Sequence, residues 1–169
     1  MPIDAVVFDL DGVLIDSEPV WERVRSAFVA EHGGHWEPDT QARLMGMSTA
    51  EWADYLSGEL GVGLAPADVA AGVIERITAT FAEHLPLLPG AVDAVRRVAQ
   101  THPVGLASSS PLPVILTVLD RAGIAPLLGA VTSADEVARG KPEPDVDLLV
   151  ADSGSVLTSG RREAASGIR

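Results

Sequence analysis

"DAVVFDLDGVLIDSE", residues 4–18, holds a short apolar run, Ala5-Val6-Val7-Phe8, that stops on two aspartates one residue apart, Asp9 and Asp11, followed by Gly12. A run of this composition bounded by turn residues reads as a buried strand entering a turn. In extended backbone, residues i and i+2 point to one side, so Asp9 and Asp11 can address one site beyond the strand's C-terminal end. Open α/β sheets bind ligands at that end. Two carboxylates held there repel each other unless a cation sits between them, and hard oxygen donors of this kind suit Mg²⁺. An acidic surface turn explains the pair equally well on these residues alone. A helix-loop-helix calcium site does not, because it needs Gly at its sixth position and Glu at its twelfth. Counted from Asp9, those positions hold Leu14 and Val20.

From Ser17 the period changes. Val20, Trp21, Val24, Ala27 and Phe28 fall at helical spacing, with Ser17 as the expected N-cap and Pro19 in the first turn. Ser48-Thr49-Ala50-Glu51 fits a capping box ahead of a helix carrying Trp52, Tyr55, Leu56 and Leu60. Pro66-Ala67-Asp68 opens another helix, with Val69, Val73, Ile74, Ile77 and Phe81 along one stripe. Pro86 and Pro89-Gly90 then mark a boundary. Beyond it a helix over 91–100 leads to the strand Val104-Gly105-Leu106-Ala107, which runs into Ser108-Ser109-Ser110. A helix over 112–122 and a weaker strand around Ala130-Val131-Thr132 follow. Strand and helix alternating in this way predict an α/β fold with a Rossmann-like parallel sheet. The expected organisation is a first strand and loop (1–16), an all-helical insertion (17–86), the rest of the α/β core (87–152) and a poorly ordered tail (153–169).

Composition narrows the function classes. With 47% apolar residues, the chain is a folded domain and not a disordered one. Its 24 acidic against 12 basic residues repel nucleic acid and anionic membranes, leaving a small molecule as the expected partner. There is no cysteine, so disulfides and thiolate metal sites are excluded. Neither a secretory leader nor a membrane span is legible, which makes the cytoplasm the expected location.

Two further features bear on the site. Ser108 ends the second strand, where a hydroxyl and successive backbone amides could hold a phosphoryl oxygen. It could equally cap the helix that starts near Leu112. Lys141 is fixed between glycine and proline in Gly140-Lys141-Pro142-Glu143-Pro144-Asp145. Taken together, DxDGxxxDSE, a strand ending in Ser, and GKPxPD resemble the haloacid dehalogenase-like superfamily of hydrolases. The branch resembled carries a helical cap after the first strand and includes proteins similar to β-phosphoglucomutase and phosphoglycolate phosphatase. The resemblance runs from about residue 2 to about residue 150 and takes in Pro86-Leu87-Leu88-Pro89-Gly90, the segment leading out of the cap.

The resemblance implies a Mg²⁺-dependent phosphatase acting on small phosphate monoesters. By motif, Asp9 would be the nucleophile that forms an aspartyl-phosphate. Asp11 would act as acid toward the leaving oxygen and then as base toward water. Mg²⁺ would sit on the Asp9 carboxylate and the Asp11 backbone carbonyl. Ser108 and Lys141 would act on the transferring phosphoryl group, with Gly12 and Ser109 helping to bind it. The dehalogenase branch lacks the second aspartate, so Asp11 favours phosphoryl transfer over carbon-halogen cleavage. Mutase relatives carry a histidine where this chain has Trp21 and an arginine near Thr49, and both are missing here. This favours a phosphatase over a phosphosugar mutase. Helical spacing assigns Trp21, Trp36, Trp52 and Tyr55 to packing, and His32, His35, His84 and His102 match no motif.

After GKPxPD the family pattern asks for a helix, a further strand and an acidic pair completing the metal site. The string Ala151-Asp152-Ser153-Gly154 imitates that ending. Only about ten residues separate Lys141 from Asp152, however, and a parallel crossover needs about a dozen or more. Asp152 is therefore a weak third metal ligand, and a core shortened at its C-terminus is expected. The rival reading is an impaired family member serving as a binding module. A monomer or weak homodimer is expected, since an uncovered sheet edge invites association.

Overall fold

The computed structural model describes residues 3–137 and 144–150, so Lys141, Asp152 and the 153–169 tail lie outside the described residues. Three short strands, β1 (Val6–Phe8), β2 (Val104–Ser108) and β3 (Ala130–Ser133), form a parallel sheet in the order β1-β2-β3. Phe8 lies opposite Leu106 and Ser108 opposite Ser133, so the three C-terminal ends open on the same side. As the middle strand, β2 is buried along its whole length, whereas Val7 in β1 is 38% exposed. Residues 145–150 are helical. Val150 approaches β2 so closely that a Cβ on Gly105 would come within 3.0 Å of its side chain.

Parallel strands need helical crossovers. Between β1 and β2 the chain makes five helices: α1 (Glu18–Glu31), α2 (Thr40–Leu44), α3 (Thr49–Gly58), α4 (Pro66–Glu83) and α5 (Ala91–Ala99). The helix α6 (Leu112–Ala122) and a 3-10 turn at Ala125–Leu127 join β2 to β3. In α4, Val69, Val73, Ile77 and Phe81 repeat every fourth position and are fully buried, which is the stripe the sequence predicts. That stripe packs α4 against α1, α3 and α6. Where α1 meets α4, a Cβ on Gly72 would stand 2.6 Å from the Phe28 ring, so glycine permits the close approach. The capping box at α3 forms as expected, with the Ser48 N–H donating to Glu51 Oε2 at 2.8 Å and the Glu51 N–H donating back to Ser48 Oγ at 3.4 Å.

The helical excursion leaves and rejoins the sheet side by side. The Asp16 N–H donates to Pro86 O and the Leu88 N–H to Leu14 O, each at 2.9 Å. The main cluster of buried side chains runs from Leu10 through Phe28, Trp52 and Val73 to Leu106 and Val118, with no break between helices and sheet, and a smaller one joins Ala107, Ala134, Val146 and Val150. The start of α3 is tied to the turn after β3 by Thr49 Oγ1, which donates to Asp135 Oδ2 at 2.8 Å. No helix among the described residues is long and apolar enough to cross a membrane.

Candidate active site

The loop after β1 is wound tightly on itself. The Leu14 N–H donates to Leu10 O at 2.8 Å and the Gly12 N–H to Ile15 O at 2.9 Å. Gly12 has φ +73°, a conformation that a side chain would strain. The turn brings Asp9 and Asp11 to the wall of one cavity of about 170 Å³.

Three hydroxyls converge on Asp11. Ser17 Oγ donates to its Oδ1 at 2.5 Å, while Ser110 Oγ and Ser108 Oγ donate to its Oδ2 at 2.8 and 3.1 Å. Ser108 in turn accepts the Ser110 N–H at 2.9 Å, and Ser133 Oγ donates to Ser110 O at 2.8 Å. Residues at the ends of all three strands thus hold one carboxylate in place. Asp9 Oδ1 accepts the Leu10 N–H at 2.8 Å, which fixes its orientation from its own backbone.

Opposite the aspartates the wall is made by Glu18, Trp21 and Arg25 of α1, Gln41 of α2 and Trp52 of α3. The Met45-Gly46-Met47 segment lies at the rim, and Ser109, Ser110 and Pro111 bring the start of α6 to the cavity. The Arg25 guanidinium lies against two indoles, 4.4 Å from the Trp21 ring centre and 4.9 Å from that of Trp52. Burial lowers its pKa to about 10, although Glu18 and then Asp11 oppose the shift, so Arg25 remains a cation at neutral pH.

The donor set fits a hard divalent cation. Mg²⁺ commonly takes one or two protein carboxylates and completes its shell with water and substrate phosphate oxygens. Asp9 and Asp11 supply that much. Among the described residues no three acidic or histidine side chains converge further.

The sequence-derived candidates fall into distinct places. Asp9, Asp11 and Ser109 line the cavity, whereas Gly12 shapes the turn beside it. Ser108 is fully buried and turns its hydroxyl to Asp11, so Ser109 and Ser110 form the wall where it was expected. Ser17 does not cap α1 with its side chain, because that hydroxyl is taken by Asp11. Trp21 and Trp52 are 5% and 2% exposed, which fits packing, yet both also form the cavity wall. None of the four histidines lines it. Ser110, Arg25 and Gln41 escaped the sequence reading. The run Ser108-Ser109-Ser110 was the only signal for the first, and no local pattern marked the other two.

Hexitol phosphatase B of Escherichia coli (strain K12) is 35% identical over 150 residues, covering 85% of this chain and 66% of that relative. The phosphorylated carbohydrates phosphatase of Thermotoga maritima is 29% identical, covering 92% of this chain and 72% of that protein. The chain thus spans about two thirds of the length of the relatives it matches. In fold it is similar to CbbY from Rhodobacter sphaeroides, solved in complex with phosphate, with a TM-score of 0.79 at 24% identity, covering 90% of this chain and 72% of that one. The family model of haloacid dehalogenase-like hydrolases matches residues 3–152, and the chain belongs to that family.

Proposed function

We propose that this protein is a Mg²⁺-dependent phosphatase of small phosphorylated carbohydrates or polyols. The observation that carries the reading is the pair Asp9 and Asp11 at the end of β1, sharing one cavity with Ser109 and Ser110 at the start of α6. An Asp9 carboxylate oxygen attacks phosphorus and the ester P–O bond breaks. Asp11, as the carboxylic acid, gives its proton to the departing oxygen. Asp11 then takes a proton from water, whose oxygen attacks the aspartyl-phosphate and releases inorganic phosphate from Asp9. Mg²⁺, held by the Asp9 carboxylate and the Asp11 carbonyl, supplies charge neutralisation between nucleophile and phosphate. Ser109, just before α6, would meet the phosphoryl oxygens with its backbone amide and hydroxyl, since Pro111 and Pro113 leave the helix start with few N–H groups. Ser108 contributes through its hydrogen bond to Asp11. Lys141 is assigned to the phosphoryl group by its motif, and Asp152 is kept as a weak third metal ligand.

Residues 17–86 act as the cap and residues 1–16 with 87–152 as the core. Trp21 lines the cavity where mutase relatives carry a histidine, which favours transfer to water over transfer back to a sugar. The acidic balance supports a small-molecule partner, and we extend the reading to a cytoplasmic monomer or weak homodimer. The test is hydrolysis of 4-nitrophenyl phosphate and of hexitol phosphates by the purified chain, with and without Mg²⁺, beside Asp9→Asn. Metal-dependent turnover absent from the variant is expected. Turnover that survives in Asp9→Asn, or no turnover by folded protein, rejects the reading.

A further inference from the structure

Arg25 is 6% exposed, yet its Nε has no hydrogen-bond partner and no carboxylate lies within ion-pair range of the guanidinium among the described residues. A buried cation without a partner is costly. The two indoles lie against the guanidinium but offer no acceptor for its N–H groups, and Arg25 lines the cavity. A second orphan lines the same cavity. Gln41 Nε2 donates to Glu18 Oε2 at 2.7 Å, which fixes the amide and leaves the buried Gln41 Oε1 as an acceptor with no donor. The two residues that carry an unpartnered donor and an unpartnered acceptor therefore both line the cavity that holds Asp9 and Asp11.

The chemistry of the missing partner follows from that combination. A carboxylate or second phosphate would satisfy Arg25 but would face Gln41 Oε1 and the nearby charge of Glu18. A hydroxyl both accepts and donates, so neighbouring hydroxyls on one carbon chain satisfy Arg25 and Gln41 together. We infer that Arg25 and Gln41 form the leaving-group subsite and that it takes a neutral polyol or sugar, Arg25 donating to its hydroxyls and Gln41 accepting from them. This assignment rests on the phosphatase reading for the position of the phosphoryl group. Trp21 and Trp52 hold the guanidinium by their ring faces, and Glu18 fixes the Gln41 amide.

Binding tests the subsite apart from turnover. In an Asp9→Asn background with Mg²⁺, where the ester is not consumed, calorimetry would measure sorbitol 6-phosphate, ethyl phosphate and phosphoglycolate. Sorbitol 6-phosphate should bind about tenfold or more tighter than ethyl phosphate, as two satisfied buried groups imply. Arg25→Met and Gln41→Leu should each remove most of that margin and leave ethyl phosphate affinity within about twofold. The melting temperature of Arg25→Met should stay level or rise, because an apolar isostere replaces a buried ion. The inference is overturned if the hexitol and ethyl esters bind alike or not at all, or if phosphoglycolate binds tighter than the hexitol ester. A lower melting temperature in Arg25→Met with equal weakening of every ligand would overturn it too, by making Arg25 structural. Loss of turnover in the parent chain with the binding margin intact would instead count against the phosphatase reading alone.

Discussion

Ser17→Ala removes one atom, and the structure says what that atom does. Ser17 is fully buried, and its hydroxyl donates to Asp11 Oδ1 at 2.5 Å. Removing the donor from a buried acceptor costs roughly 1–3 kcal/mol. Alanine keeps the Cβ, so no cavity of consequence opens and the loss is the hydrogen bond itself. Taking about 2 kcal/mol, the melting temperature should fall by about 4–8 °C for a chain of this size. The same loosening acts on the proposed acid. Two kcal/mol spent on re-ordering Asp11 corresponds to about 30-fold in rate at most. A hexitol phosphate leaves as an alkoxide and needs the proton, whereas 4-nitrophenolate is a stable anion and needs it little. Turnover of the hexitol ester should therefore drop about 10- to 30-fold, and that of the aryl ester by no more than about threefold. Ser17→Thr, which keeps the hydroxyl, should recover most of both losses. Equal loss on the two esters, or an unchanged melting temperature, would refute the assigned role of Asp11 and its serine shell.

Phe81→Ala should destabilise the chain by about 3–5 kcal/mol in urea unfolding, since Phe81 is wholly buried on the stripe that joins α4 to its neighbours. Gly34→Ala should lower the urea midpoint by the equivalent of about 1–3 kcal/mol, because the new Cβ would stand 2.5 Å from the Leu60 carbonyl oxygen. A change below about 0.5 kcal/mol would show that this backbone yields easily. Glu51 is held below its ordinary value of 4.5 by the Ser48 N–H and then the Ser48 hydroxyl. A depressed carboxyl contributes stability above its unfolded pKa and loses it as pH falls through the folded one, so part of the acid destabilisation below pH 4.5 should vanish in Glu51→Gln. Superimposable stability curves for the two proteins would contradict this.

The elements legible in the sequence are those written by near neighbours along the chain. The buried stripe of α4, the Ser48-Glu51 box and the breaks at Pro86 and Gly90 each depend on residues within a few positions of one another. The aspartate pair was legible for the same reason, since its geometry is that of a strand end. What holds Asp11 was not, because Ser110 reaches it across 99 positions and Ser108 across 97. Ser17 shows the competition plainly: it precedes a helix with Pro19 in the first turn, yet a tertiary carboxylate outbids the helix for its hydroxyl. Arg25 was hidden differently. It falls on the buried side of α1, among Val24, Phe28 and Val29, at a position that pattern rules reserve for apolar residues.

The buried cluster that joins the helices to the sheet has a consequence for how the molecule comes apart. With α4 packed at once on α1, α3 and α6, the helical excursion cannot melt without exposing the apolar face of the helix that covers the sheet. Neither half then has a stability of its own. Calorimetry should record one transition instead of two, and the innermost amides of α4 and β2 should exchange with deuterium through the same rare global opening.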